Sequence, residues 1–128
     1  MDKLHLFREK LRELDLDGAL IFDELNQRYL CDYAFTDGFL AISQDEALLV
    51  TDFRYYESAL EKADKSFRVI NSDVPRSEVL KRFISENSVK RIGFEGGSVT
   101  YALYKAYSEK YSELEFVDLG DIIEKIRG

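Results

Sequence analysis

A mixed β-sheet held between layers of helices is the α/β fold this sequence predicts. Helical and strand-like segments alternate along the whole chain, and two apolar runs at 39–43 and 47–51 are joined by only three polar residues. The other strand candidates are separated by helix-length stretches, the usual route between parallel strands.

Each element has its own signal. Lys3 to Leu14 put Leu4, Phe7, Leu11 and Leu14 on one stripe, with Lys3, Arg8, Glu9, Arg12 and Glu13 outside it, so an amphipathic helix is predicted. Asp15-Leu16-Asp17-Gly18 stops it. Ala19–Phe22 is a short continuous apolar run, suited to a strand buried on both faces. Asp23 caps a brief helix through Tyr29 and Leu30. Phe39–Ser43 and Ala47–Thr51, joined by Gln44-Asp45-Glu46, form an antiparallel hairpin.

Asp52 is read as the cap of a helix over Tyr55, Tyr56, Ala59 and Ala63. Phe67–Ile70 is the next strand, and Pro75 stands where a helix starts, with Val79, Leu80, Phe83 and Ile84 at helical spacing. Arg91–Phe94 is a strand. Gly96-Gly97-Ser98 is a break needing positive φ, with Ser98 as the following N-cap. The helix after it carries Tyr101, Tyr104, Tyr107 and Tyr111 as an aromatic stripe for the sheet. Glu115–Val117 is the last strand, and Asp118 and Asp121 form a capping pair ahead of Ile122, Ile123 and Ile126.

Composition narrows the function. At 128 residues and 45% hydrophobic content the chain suits one domain, 1–128, with a real core. A net charge of -7 disfavours nucleic acid and anionic membranes as partners. The apolar runs fall far short of the ~20 residues of a membrane helix. Cys31 is the only cysteine and there is no signal-peptide core, so a cytoplasmic location is expected.

Few residues offer chemistry of their own. A dinuclear metal site needs several carboxylates plus imidazole. The only histidine, His5, lies on the first helix and reads as a surface or boundary residue. Cys31 lacks a nearby base and reads as a packed, inert thiol. Gly93-Phe94-Glu95-Gly96-Gly97-Ser98 follows a strand and opens a helix, as phosphate loops do. It lacks the dinucleotide glycine spacing and the P-loop lysine, and Glu95 would repel an anion. Asp37, Asp52 and Arg54 stand out instead. The hairpin brings Thr36-Asp37-Gly38 and Thr51-Asp52-Phe53-Arg54 together, which places Arg54 near Phe35 and Asp37. The plainer reading is a structural Arg–Asp pair; the functional one is an outward Arg54 whose planar fork meets a carboxylate.

At these residues the chain resembles the N-terminal domain of the creatinase/prolidase/aminopeptidase P family. The resemblance runs through Asn26-Gln27-Arg28-Tyr29-Leu30, Phe35-Thr36-Asp37-Gly38 and Leu49-Val50-Thr51-Asp52-Phe53-Arg54-Tyr55. It continues in Arg91-Ile92-Gly93-Phe94-Glu95-Gly96, Ser98-Val99-Thr100-Tyr101, Val117-Asp118-Leu119 and Ile122-Ile123. Cys31-Asp32-Tyr33-Ala34 departs from the family's more usual threonine-glycine-phenylalanine. The resemblance implies an α/β/α layering with a ribonuclease H-like motif. It also implies a non-catalytic domain that precedes a pita-bread metallopeptidase domain absent from this chain. Two divalent ions, Mn²⁺ by preference, would belong to that missing domain, and none to these residues. Homodimer contacts and short proline-containing peptides are the implied partners. By the same analogy Arg54, Asp37 and Phe35 form the substrate-facing edge. The competing expectation is a stand-alone binding or assembly module with no enzyme attached.

Overall fold

The computed structural model describes residues 2–128; Met1, the start of the expected 1–128 domain, lies outside them. Among the described residues six strands form one sheet in the order β4-β3-β2-β1-β5-β6. The strands are β1 (Gly18–Ile21), β2 (Phe39–Ser43), β3 (Ala47–Thr51), β4 (Arg68–Asn71), β5 (Arg91–Phe94) and β6 (Glu115–Asp118). β2 pairs antiparallel with β1 and with β3, and the β3–β4, β1–β5 and β5–β6 pairs are parallel. The mixed sheet, its hairpin and the ribonuclease H-like run of β1, β2 and β3 agree with the sequence reading.

Helices cover both faces. On one lie α1 (Lys3–Glu13), α2 (Glu24–Cys31), α3 (Tyr56–Lys62) and α6 (Ile122–Arg127); on the other lie α4 (Arg76–Glu86) and α5 (Tyr101–Lys110). Strand alternation feeds the two cores. Leu40, Ile42, Ala47 and Leu49 join Leu4, Phe7 and Leu11 of α1, while Phe39, Ala41, Leu48 and Val50 join Val79, Leu80 and Phe83 of α4. Phe7 has no exposed surface. Full burial of such a side chain contributes about 2 kcal/mol.

The Asp23 side chain accepts from Asn26 N, the cap expected for α2. Asp32 ends that helix at φ 57, a left-handed position that glycine fills with least strain. Here the Cys31-Asp32-Tyr33 departure has its structural consequence. Pro75 occupies the N-cap of α4 rather than its first helical residue.

Other expectations need correction. Asp52 does not cap α3 with its side chain: the N-cap is Tyr55, and the Asp52 carboxylate turns to Arg54 instead. The cap of α5 is Thr100, whose hydroxyl accepts from Leu103 N; Ser98 is not the cap. Asp121 sits at the α6 N-cap without a side-chain bond, while Asp118 Oδ1 accepts from Gly96 N and Gly120 N. Gly96 and Gly97 do not take positive φ. A Cβ at Gly96 would lie 2.7 Å from Asp118 Cγ, so any side chain there would push aside the carboxylate that accepts from Gly96 N. The tyrosine stripe packs from Tyr104 onward: Tyr104 is partly exposed but meets Phe94 at 5.8 Å and Phe116 at 6.1 Å, and only Tyr101 stands clear of the sheet. Tyr107 meets Phe22 edge-on at 5.6 Å and Tyr111 is buried.

Candidate functional site

Strand direction decides where the polar residues gather. β1, β3, β4, β5 and β6 run one way and β2 runs against them. The carboxyl ends of five strands therefore share an edge with the amino end of β2. Open α/β sheets hold ligands along this kind of edge. Thr36–Gly38, Asp52–Arg54 and Glu95 all lie on it.

The hairpin brings Asp37 and Arg54 together as expected. Arg54 Nη2 donates to Asp37 Oδ2 at 3.0 Å and to Asp52 Oδ2 at 2.8 Å. Nε donates to both Asp52 oxygens, at 3.1 and 3.2 Å. These bonds raise the Arg54 pKa further, Asp52 contributing most and Asp37 next. The Arg54 hydrogen bond holds the Asp52 carboxyl below the usual range. Arg54 is still 47% exposed along its side chain and Asp37 75%. Such pairs in water contribute little to stability, so this arrangement orients groups more than it secures the fold. The Arg54 guanidinium carbon lies 5.2 Å from the Tyr55 ring centroid, and the Tyr55 hydroxyl meets Thr36 Oγ1 at 3.0 Å. Phe53, between Asp52 and Arg54 in the chain, is 80% exposed.

Phe35 is placed differently from its expected role. It is buried, stacked on Tyr33 with ring centroids 6.1 Å apart, and backs the turn from inside. Its apolar ring gains more from the core under α2 and α3 than from solvent. At the edge it is a support and not an outward surface.

Sequence reasoning missed Arg76 and the role of Glu95. Arg76, the first residue of α4, donates from Nη2 to the Asp37 carbonyl. Its only signal was position, directly after Pro75 at the start of the helix. Glu95 is buried and accepts from Phe22 N at 2.6 Å, Asp23 N at 2.9 Å and Asn26 Nδ2 at 2.7 Å. Asn26 Oδ1 in turn accepts from Arg127 Nη1 at 3.2 Å, which ties α6 to α2. Burial pushes the Glu95 carboxyl above the ordinary glutamate range, against the opposing pull of those hydrogen bonds. The carboxylate clasps the start of α2 and faces inward, so the Glu95–Ser98 turn is a structural joint.

The remaining candidates are inert or exposed. His5 is exposed, with Nε2 3.0 Å from Glu9 Oε1. Cys31 is fully buried, its Sγ 3.4 Å from Tyr33 O, and burial pushes its thiol up to about 11. Iodoacetamide at neutral pH should leave the native chain unlabelled and modify it only after unfolding, as read by mass spectrometry. Rapid labelling of the folded protein would contradict this burial.

A pair of divalent ions requires converging carboxylates and imidazole. Among the described residues no three His, Cys, Asp or Glu side chains gather to hold a metal. Asp37 and Asp52, which approach each other, already share the Arg54 cation. The described residues do not fit such a pair. Among the described residues no helix is long and apolar enough to cross a membrane.

Comparison with known proteins gives a consistent picture. The family model described as the creatinase/prolidase N-terminal domain matches residues 3–128. The uncharacterized peptidase YqhT of Bacillus subtilis is 34% identical over 125 residues, covering 98% of this chain and 35% of that protein. The solved Xaa-Pro dipeptidase of Bacillus anthracis superposes with a TM-score of 0.88 at 29% identity, covering 99% of this chain and 35% of that one. The N-terminal domain of the cytoplasmic peptidase PepQ of Mycobacterium tuberculosis gives 0.85 at 26% identity, with 98% of each chain covered. This chain thus spans about a third of the length of the curated relative it matches. With its six-stranded sheet and the turn–hairpin–Arg54 edge in place, the chain belongs to the creatinase/prolidase N-terminal domain family.

Proposed function

We propose that this chain is the non-catalytic N-terminal domain of a Xaa-Pro metallopeptidase of the proline dipeptidase or aminopeptidase P type. In this reading it borders the cleft of a separate peptidase domain and narrows it to short proline-containing peptides. The observation that carries the reading is Arg54, chelated by Asp52, steered by Asp37, and left half exposed beside Phe53. A guanidinium so held loses little further freedom when it meets a carboxylate, so its planar fork is preorganised for recognition. The name of the Bacillus anthracis Xaa-Pro dipeptidase supports the substrate class, and that of the Mycobacterium tuberculosis peptidase supports peptidase activity in general.

The two divalent ions, Mn²⁺ in this reading, would supply the hydrolytic chemistry from the peptidase domain. This domain contributes position and exclusion, which act on the barrier by holding the peptide in one geometry. Pairing with a second copy and a cytoplasmic setting belong to the same proposal. Incubating the 128-residue chain with an Xaa-Pro dipeptide and Mn²⁺ tests it. Release of proline should stay at the buffer rate, and clear turnover would place the chemistry within this chain.

A further inference from the structure

The Thr36-Asp37-Gly38 turn offers two successive carbonyls, and each is held from a different helix layer. Gln27 Nε2 of α2 donates to Gly38 O at 3.0 Å, and Arg76 Nη2 of α4 donates to Asp37 O from the opposite layer. Asp37 takes φ 58, a left-handed conformation that costs an L-residue roughly 1 kcal/mol and needs outside support. The Arg76 guanidinium carbon lies 5.9 Å from the ring centroid of Phe39, which is fully buried at the start of β2. That ring gives it a fixed seat.

From these contacts we infer that Arg76 is the positioning residue of the edge. It pins the Asp37 carbonyl, and the pinned residue presents its carboxylate to Arg54 Nη2. Arg54 is then held on both sides, by Asp52 and by Asp37. Among the described residues its Nη1 donors have no hydrogen-bond partner and remain for a peptide carboxylate. Charge follows the same logic. Arg54 and Arg76 balance Asp37 and Asp52, and without Arg76 the cluster would carry a net negative charge and repel an anionic group. This inference rests on the edge reading above.

Two measurements on the full 128-residue chain separate the two ideas. The first compares crystal structures of the unaltered chain, Arg76→Ala and Arg76→Lys. In Arg76→Ala the Arg54–Asp52 bonds should persist and the Arg54–Asp37 contact should be lost; Arg76→Lys, which keeps a donor and a charge, should restore it. The second follows the Thr36–Gly38 and Asp52–Tyr55 backbone amides by NMR during titration with glycyl-proline, together with the Arg54 Nε–Hε signal wherever Arg54 is present. Arg76→Ala should raise the dissociation constant about fivefold, but less than about twofold when Arg54 is already alanine, since the two act as one unit. Persistence of the Arg54–Asp37 contact in Arg76→Ala, or additive losses, would overturn the inference. Should glycyl-proline leave the Arg54 signal unmoved in the unaltered chain, the peptide reading of the edge fails. The role of Arg76 is then decided by the crystal contact alone, upheld if it is lost and overturned if it stays.

Discussion

Gly38→Ala should lower the unfolding free energy by about 3 kcal/mol, at the upper end of what overpacking costs. A Cβ at this position would lie 2.2 Å from the Val50 carbonyl oxygen and 2.6 Å from the Phe35 ring. Neither neighbour can yield cheaply. Val50 is paired with Phe39 in the central hairpin, and Phe35 is locked in the core. The Gly38 carbonyl is itself held by Gln27. Relief would have to come from opening the β2–β3 pair at the end where Asp37 and Arg54 meet, so the same substitution should also disorder the edge. Urea denaturation reads the effect as a lower midpoint with an unchanged slope. A change below about 0.5 kcal/mol, the range of an ordinary surface substitution, would show that the hairpin tolerates a side chain there.

Glu95→Ala is expected to cost about 3 kcal/mol or more, because a buried donor left without an acceptor costs roughly 1–3 kcal/mol. Three donors depend on this carboxylate: Phe22 N, Asp23 N and Asn26 Nδ2. Removing it frees the start of α2 and loosens the Asn26–Arg127 tie to α6. The pH dependence is a separate and sharper check. Burial raises the Glu95 carboxyl above its ordinary value of 4.5. The folded chain therefore takes up the proton before the unfolded chain does, as pH falls through the raised value. Stability from this group is fully present below about 4.5 and is lost as pH rises through the folded value. Glu95→Gln cannot titrate. Relative to that variant, the unaltered protein should gain stability between pH 7 and pH 4.5. A difference in melting temperature that is flat across this window would contradict the assignment.

Local chemistry explains what the sequence revealed and what it hid. Leu4, Phe7 and Leu11 announce α1 because helical periodicity depends on one short segment. The hairpin was legible for the same reason, and with it the meeting of Asp37 and Arg54. The burial of Phe35 was not, since its partners Tyr33 and the helices above it converge only after the layers close. Asp52 misled because a cap and a chelating carboxylate look alike in sequence, and the choice depends on Arg54 two residues later. Ser98 and Thr100 offered two hydroxyls for one helix start, with nothing local to choose between them. Glu95 and Arg76 were invisible for a stronger reason. Glu95 serves groups some 70 positions away and Arg76 a carbonyl 39 positions away, so neither carries a periodic mark.

The direct test of the whole account is where a proline-containing dipeptide touches this chain. An NMR titration of the labelled protein with alanyl-proline should move the amides of Thr36–Gly38 and Asp52–Tyr55 and the Arg54 Nε–Hε signal, and leave those of Glu95–Ser98 in place. Shifts centred on Glu95–Ser98, or none near Arg54 at saturating dipeptide, would show that the edge formed by Asp37, Asp52 and Arg54 does not meet the peptide.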